Sequence, residues 1–142
     1  MTEAVRVLLA DDEVEYAASL ARALRRRGMV VSVAHDGDEV VEALQTQDVD
    51  VVVMDLRMPR MDGLTALDQI RKVDAFTSII LLSGNADLQL STEALKRGAT
   101  DFLFKPCSVE VLTSAIEDAA ERKAIAREFG KAGTSSPGGN RR

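Results

Sequence analysis

The stretch Val49-Asp50-Val51-Val52-Val53-Met54-Asp55 holds four valines and a methionine and stops at a carboxylate. A strand with one wet face alternates apolar and polar side chains. This run is apolar on both faces, so both must be covered. Strands of that kind belong to parallel sheets with helices on each side.

Reading outward, the same grammar repeats. Val5–Ala10 is apolar apart from Arg6 and ends at Asp11-Asp12-Glu13. Val14–Arg27 then places Val14, Ala17, Ala18, Ala21 and Leu24 at helical spacing. It closes with three arginines and Gly28, a basic last turn followed by a glycine stop. Val30–Ala34 is a short β-branched run, Asp36-Gly37 a turn, and Asp38–Gln45 a helix-like stretch. Beyond Asp55, Leu56–Asp62 is a loop with Pro59, and Gly63–Val73 is helical in pattern. Ile79–Leu82 is a second fully apolar run, followed by Ser83-Gly84-Asn85. Asp87–Arg97 is helical and stops at Gly98. Phe102–Phe104 is a short strand ending at Lys105-Pro106, and Ser108 caps a helix expected to reach about Phe129. The predicted class is α/β: a doubly wound five-stranded parallel sheet, (βα)5.

Composition sets the outer limits. The chain has 142 residues, suited to one domain, with 46% hydrophobic and 29% charged residues. Aromatics are 4% and tryptophan is absent, which argues against a base-stacking platform for nucleic acid. The net charge of −5 argues against a surface that neutralises phosphates. Lys123–Arg142 carries five basic residues and one acid, so Met1–Arg122 is more acidic than the whole and attracts cations. One cysteine, Cys107, rules out an intrachain disulfide. There is no apolar run of membrane-spanning length and no signal-peptide pattern, which gives the expectation of a cytoplasmic chain.

In doubly wound sheets ligands sit outside the carboxyl ends of the strands. Those ends read Asp11, Asp12 and Glu13 after the first strand, Asp55 after the third, Ser83 after the fourth and Lys105 after the fifth. Any one of these acids is by itself an ordinary cap or turn residue, and Lys105 an ordinary surface lysine. Together they crowd carboxylates at one edge, where a hard divalent cation relieves the repulsion. Oxygen donors with few protein ligands suit Mg²⁺.

With Asp11-Asp12, Asp55 in Val53-Met54-Asp55-Leu56-Arg57-Met58-Pro59, Met61-Asp62-Gly63, Ser83 and Lys105-Pro106 in this order, the sequence resembles the receiver domain of bacterial two-component response regulators, a flavodoxin-like fold. The resemblance covers about Val5 to Arg122. It implies that Asp55 accepts a phosphoryl group from a phosphohistidine of a histidine kinase or phosphotransfer protein, becoming 4-aspartylphosphate. It implies Mg²⁺ on Asp12, Asp55 and the Arg57 carbonyl, with Asp11 holding a metal-bound water. It further implies Lys105 on a phosphoryl oxygen, a cis Lys105–Pro106 bond, and Ser83 and Phe102 as switch residues. The expected product is a signalling protein that catalyses only its own phosphorylation and slow dephosphorylation.

Departures from the pattern shape the remaining expectations. Phe102 stands where many relatives carry tyrosine, so a switch there rests on packing. Arg57 is expected to alter the lifetime of the aspartyl phosphate. An aspartyl-phosphate hydrolase would want a second aspartate two residues after the nucleophile, where Arg57 stands. A flavin module would want a phosphate loop where Asp11-Asp12-Glu13 would repel the phosphate. The lone His35 is expected on the surface; a helix start would lower the pKa of Cys107, but a small packing residue is the expected reading there.

The domain is expected over 1–122, with a helix extension and a flexible Gly/Ser/Pro-rich tail over 123–142. The tail starts no further apolar pattern. A stand-alone receiver is therefore favoured over a fragment of a larger regulator. Its output is expected through a downstream protein or a second copy, at the fourth helix, fifth strand and last helix, without nucleic acid or membrane.

Overall fold

The computed structural model describes residues 3–58, 63–84 and 88–135, the side chains of 130–135 excepted; Pro59, Met61, Asp62 and Asn85 lie outside that set. Strands and helices alternate: β1 Arg6–Ala10, α1 Val14–Arg26, β2 Val30–Ala34, α2 Gly37–Thr46, β3 Val51–Asp55, α3 Gly63–Val73, β4 Ser78–Ser83, α4 Leu88–Lys96, β5 Asp101–Phe104 and α5 Val109–Ser135. The five strands form one sheet in the order β2-β1-β3-β4-β5, every pair parallel. The α/β expectation holds, down to the two-sided burial of β3.

The two faces of each strand feed two cores. Val7 and Leu9 of β1, Val51 and Val53 of β3, and Ile80 and Leu82 of β4 pack under α1 and α5, against Ala17, Leu20, Leu24, Leu112 and Ile116. The alternate residues Leu8, Val52, Met54, Ile79 and Leu81 pack under α2, α3 and α4, against Val40, Leu44, Leu67, Ile70 and Ala94. A strand buried on both faces has no polar position to spare. That is why β3 and β4 read as unbroken apolar runs.

Helix ends follow the local chemistry. Gly28 and Gly98 take φ of +89° and +113°. They let the amides of Met29 and Ala99 turn back to Leu24 and Ala94, closing α1 and α4 in the same way. Ser108 caps α5, its Oγ accepting from the Val111 amide at 3.1 Å. Asp36 caps α2 by accepting from Glu39 N at 2.9 Å.

Two expectations change. The helix does not end near Phe129 but continues to Ser135. Lys131 and Ala132 are good helix formers, and propagation is cheap once a helix is nucleated, so isolated glycines at 130 and 133 do not stop it. Lys123, counted above with the basic tail, is buried: its Nζ donates to the Val49 carbonyl and lies 3.9 Å from Asp50 Oδ1. Burial, then the nearby Arg127 charge, lower its pKa. With Ser78 Oγ donating to the Ala119 carbonyl at 2.6 Å, it fastens α5 to the amino edge of the sheet.

Candidate functional site

The sheet register builds the site. β1 and β3 are neighbours, and Ala10 pairs with Met54. The next residue on each, Asp11 and Asp55, therefore emerges side by side at the carboxyl edge, where the chain order of the sheet reverses. Asp11 is fully buried. Its Oδ1 accepts from the Glu13 amide at 2.9 Å, which leads the chain into α1. Asp12 beside it is exposed, and Asp55 is half-buried. One oxygen from each of Asp11, Asp12 and Asp55 lies within 4.8 Å of the others.

Lys105 reaches this cluster from beyond β4, its own amide bonded to the Ser83 carbonyl at 2.9 Å. Its Nζ donates to Asp55 Oδ2 at 2.9 Å and Asp11 Oδ2 at 3.1 Å, with Glu13 Oε1 at 3.5 Å. Burial works against the ammonium, but the hydrogen bonds to Asp55 and Asp11 outweigh it and hold its pKa well above the ordinary lysine value. The Lys105–Pro106 bond is cis. The other Asp55 oxygen, Oδ1, accepts from the Arg57 amide at 3.1 Å. Arg57 itself is exposed, and with Asp12, Leu56, Met58, Gly63, Leu64 and Leu90 it lines a cavity of about 660 Å³ beside the carboxylates.

Gly63 closes its backbone onto Leu56. Its amide donates to the Leu56 carbonyl at 3.1 Å. A Cβ there would stand 2.6 Å from the same oxygen, so only glycine fits this close approach.

The donor set is all oxygen, and its carboxylates outnumber the one ammonium among them. Such a set fits Mg²⁺, and Asp11, Asp12 and Asp55 are the residues that would hold it. Ser83 is buried and turned to its own neighbourhood: its Oγ donates to the Gly84 carbonyl and accepts from Ser91 Oγ of α4, both at 3.1 Å. Phe102 is half-buried against the α2–α4 core and meets Phe104 edge-on, ring centroids 5.4 Å apart.

Two residues at or near the site gave no signal in the sequence reading. Ser91 is fully buried against Ser83. Tyr16 lies under Lys105, whose Nζ is 5.0 Å from the ring centroid. His35, expected on the surface, is half-buried with Nδ1 3.1 Å from the Asp11 carbonyl oxygen. Cys107 packs against the core under α1 and α5, as the packing reading expects, and burial raises its thiol pKa rather than lowering it.

A family profile described as "Response regulator receiver domain" matches residues 7–117. The regulatory protein AtoC of Escherichia coli is 32% identical over 91% of this chain, which spans 28% of AtoC. The transcriptional regulatory protein TrcR of Mycobacterium tuberculosis is 34% identical over 83% of this chain, which spans 46% of TrcR. The chain thus covers less than half the length of either regulator. Among solved structures, the receiver domain of Francisella response regulator 1452 superposes with a TM-score of 0.76 at 33% identity, covering 83% of this chain and 98% of that one. A receiver domain protein of Clostridium thermocellum gives 0.81 at 30% identity, over 86% of this chain and 98% of that one. With that profile over most of its length, and the acidic cluster and lysine at the sheet edge, the chain belongs to the receiver-domain family of two-component response regulators.

Proposed function

We propose that the chain is a phosphorylation-activated switch whose acceptor is Asp55. An Asp55 carboxylate oxygen attacks the phosphorus of a phosphohistidine on a histidine kinase or phosphotransfer protein. The O–P bond forms as the P–N bond breaks. With the donor ring protonated on its other nitrogen, imidazole leaves neutral. Asp12, Asp55 and the Arg57 carbonyl would hold Mg²⁺, with Asp11 on a metal-bound water, and the ion would supply charge neutralisation for the transferring oxygens. Lys105 shifts from Asp55 Oδ2 to a phosphoryl oxygen and so follows the charge as it moves. Ser83 gives up the Gly84 carbonyl and turns its hydroxyl to the phosphoryl group; Phe102 follows into the space this opens.

The observation that carries this reading is the Lys105 ammonium held 2.9 Å from Asp55 Oδ2, within a triad of carboxylates spaced for one cation. Phosphoryl transfer asks for little beyond such positioning and charge. Output leaves through protein contacts of α4, β5 and α5, where Leu95, Phe104 and Val111 are exposed apolar side chains, and involves no direct nucleic-acid contact. A stand-alone receiver in the cytoplasm is the form proposed. A second reading, a receiver that controls an effector in a longer chain, is favoured by the length of AtoC and TrcR relative to the matched segment.

Incubation with acetyl phosphate, with and without Mg²⁺, followed by intact mass, tests the acceptor. One added phosphoryl group that requires Mg²⁺ and is absent from Asp55→Ala is expected. A gain that persists in Asp55→Ala overturns Asp55 as the acceptor.

A further inference from the structure

Lys105 has two kinds of partner. Three are carboxylates: Asp55 Oδ2 at 2.9 Å, Asp11 Oδ2 at 3.1 Å and Glu13 Oε1 at 3.5 Å. The fourth is the Tyr16 ring, with the ammonium 5.0 Å from its centroid. The two kinds behave differently when the site is used. Asp11 and Asp55 are the groups a divalent cation would engage, and Asp55 is the group that would be phosphorylated. Both attractions weaken at the step where the lysine is needed. The Glu13 side chain is 66% exposed, so solvent and salt screen it.

The ring is not consumed in this way. Its attraction for a cation comes from the quadrupole of the aromatic face, which no metal or phosphoryl group takes up. Tyr16 is also held in place. It sits in the first turn of α1, half-buried, with its side chain packed against the core under α1 and α5. It therefore ties α1 to the end of β5 through an interaction that survives changes in the acidic cluster. A ring over one side of the ammonium also displaces water there, so the lysine does not have to shed that water when a phosphoryl oxygen arrives.

We propose that Tyr16 is the positioning residue for Lys105: its ring keeps the ammonium over the Asp55 edge while the acidic oxygens are occupied. This rests on Asp55 being the phosphoacceptor. The ring face does the work, not the hydroxyl, so Tyr16→Phe should behave as the wild type and Tyr16→Leu should not. Tyr16→Met, unbranched and of similar reach, serves where Leu disturbs α1.

Two measurements on the full chain test it. In the metal-free protein, NMR should show the Lys105 ε-methylene protons shifted upfield by the ring in the wild type and Tyr16→Phe, and returned to ordinary lysine values in Tyr16→Leu and Tyr16→Met. At saturating Mg²⁺, the initial rate of acetyl-phosphate-driven phosphorylation should fall about three- to tenfold in the aliphatic variants and stay within about twofold in Tyr16→Phe. Aliphatic variants that phosphorylate at the wild-type rate overturn the proposal, as does a Tyr16→Phe variant as slow as they are. A wild type that takes up no phosphoryl group, or takes it up equally in Asp55→Ala, overturns the phosphoacceptor reading instead, and the upfield shift then stands as a structural contact alone.

Discussion

Lys105 is paired with two of the three carboxylates that a cation would engage, Asp11 and Asp55. Lys105→Met should therefore bind Mg²⁺ more tightly, by about tenfold, as judged by calorimetry, since an opposing unit charge a few ångströms away is removed. The same variant should accept phosphate more slowly, because its aliphatic side chain cannot follow the phosphoryl charge. Gly63 makes a different kind of demand. In Gly63→Ala the new methyl meets the Leu56 carbonyl and side chain, and one of the two residues has to move. Urea denaturation should show a loss of about 1–3 kcal/mol, and phosphorylation should slow with it. The carboxylates, Ser83 and Lys105 were readable in the sequence because each interrupts an apolar run where a strand must end. Tyr16 and Ser91 were not. Each sits within a helical stretch, and helical periodicity records which face a residue takes, not which neighbour from another strand meets it.

Among the helices, α4 and the turn before β4 show what chain order hides. Arg71 of α3 donates to the Gly98 carbonyl and to the Thr77 carbonyl, both at 2.6 Å, and Arg97 reaches Asp68 at 3.1 Å. The carboxyl end of α4 is thus tied to α3, while Ser91 links the helix to Ser83. A shift of Ser83 is felt directly by α4. The α3–β4 turn is organised by Asp74, whose Oδ1 accepts from the amides of Phe76 and Thr77 at 2.8 and 3.0 Å and whose Oδ2 accepts from the Thr77 hydroxyl. Burial raises the Asp74 pKa, but these hydrogen bonds outweigh it and hold the group below the usual carboxylate range. Its stabilisation is accordingly full above the ordinary aspartate value of about 3.9 and fades as pH falls through the lower folded value. Asp74→Ala should cost about 1–3 kcal/mol at pH 7. The gap to the wild type should narrow below about pH 4, which chemical denaturation at stepped pH would show. Element order and the two-sided strands were legible from apolar patterning. The length of α5 was not, because its last turns carry no apolar period and depend on propagation alone.

Taken whole, the molecule divides its labour between the two edges of one sheet. The amino edge holds the Ser78, Lys123 and Asp74 anchors, and the carboxyl edge gathers three carboxylates around the Lys105 ammonium. Mg²⁺ bound by the folded chain should therefore stabilise it by mass action, by about 2.7 kcal/mol at a hundred times the dissociation constant. Calorimetric scans should show Tm rising with Mg²⁺ and the rise largely abolished in Asp12→Ala, where one of the three carboxylates is gone. A last consequence concerns light rather than heat. The chain has one tyrosine and no tryptophan, so with excitation beyond the phenylalanine band its emission comes from the ring beneath Lys105. That fluorophore lies within reach of the ammonium and its acidic partners, and its brightness should change whenever they are rearranged, giving an unlabelled optical record of events at Asp55.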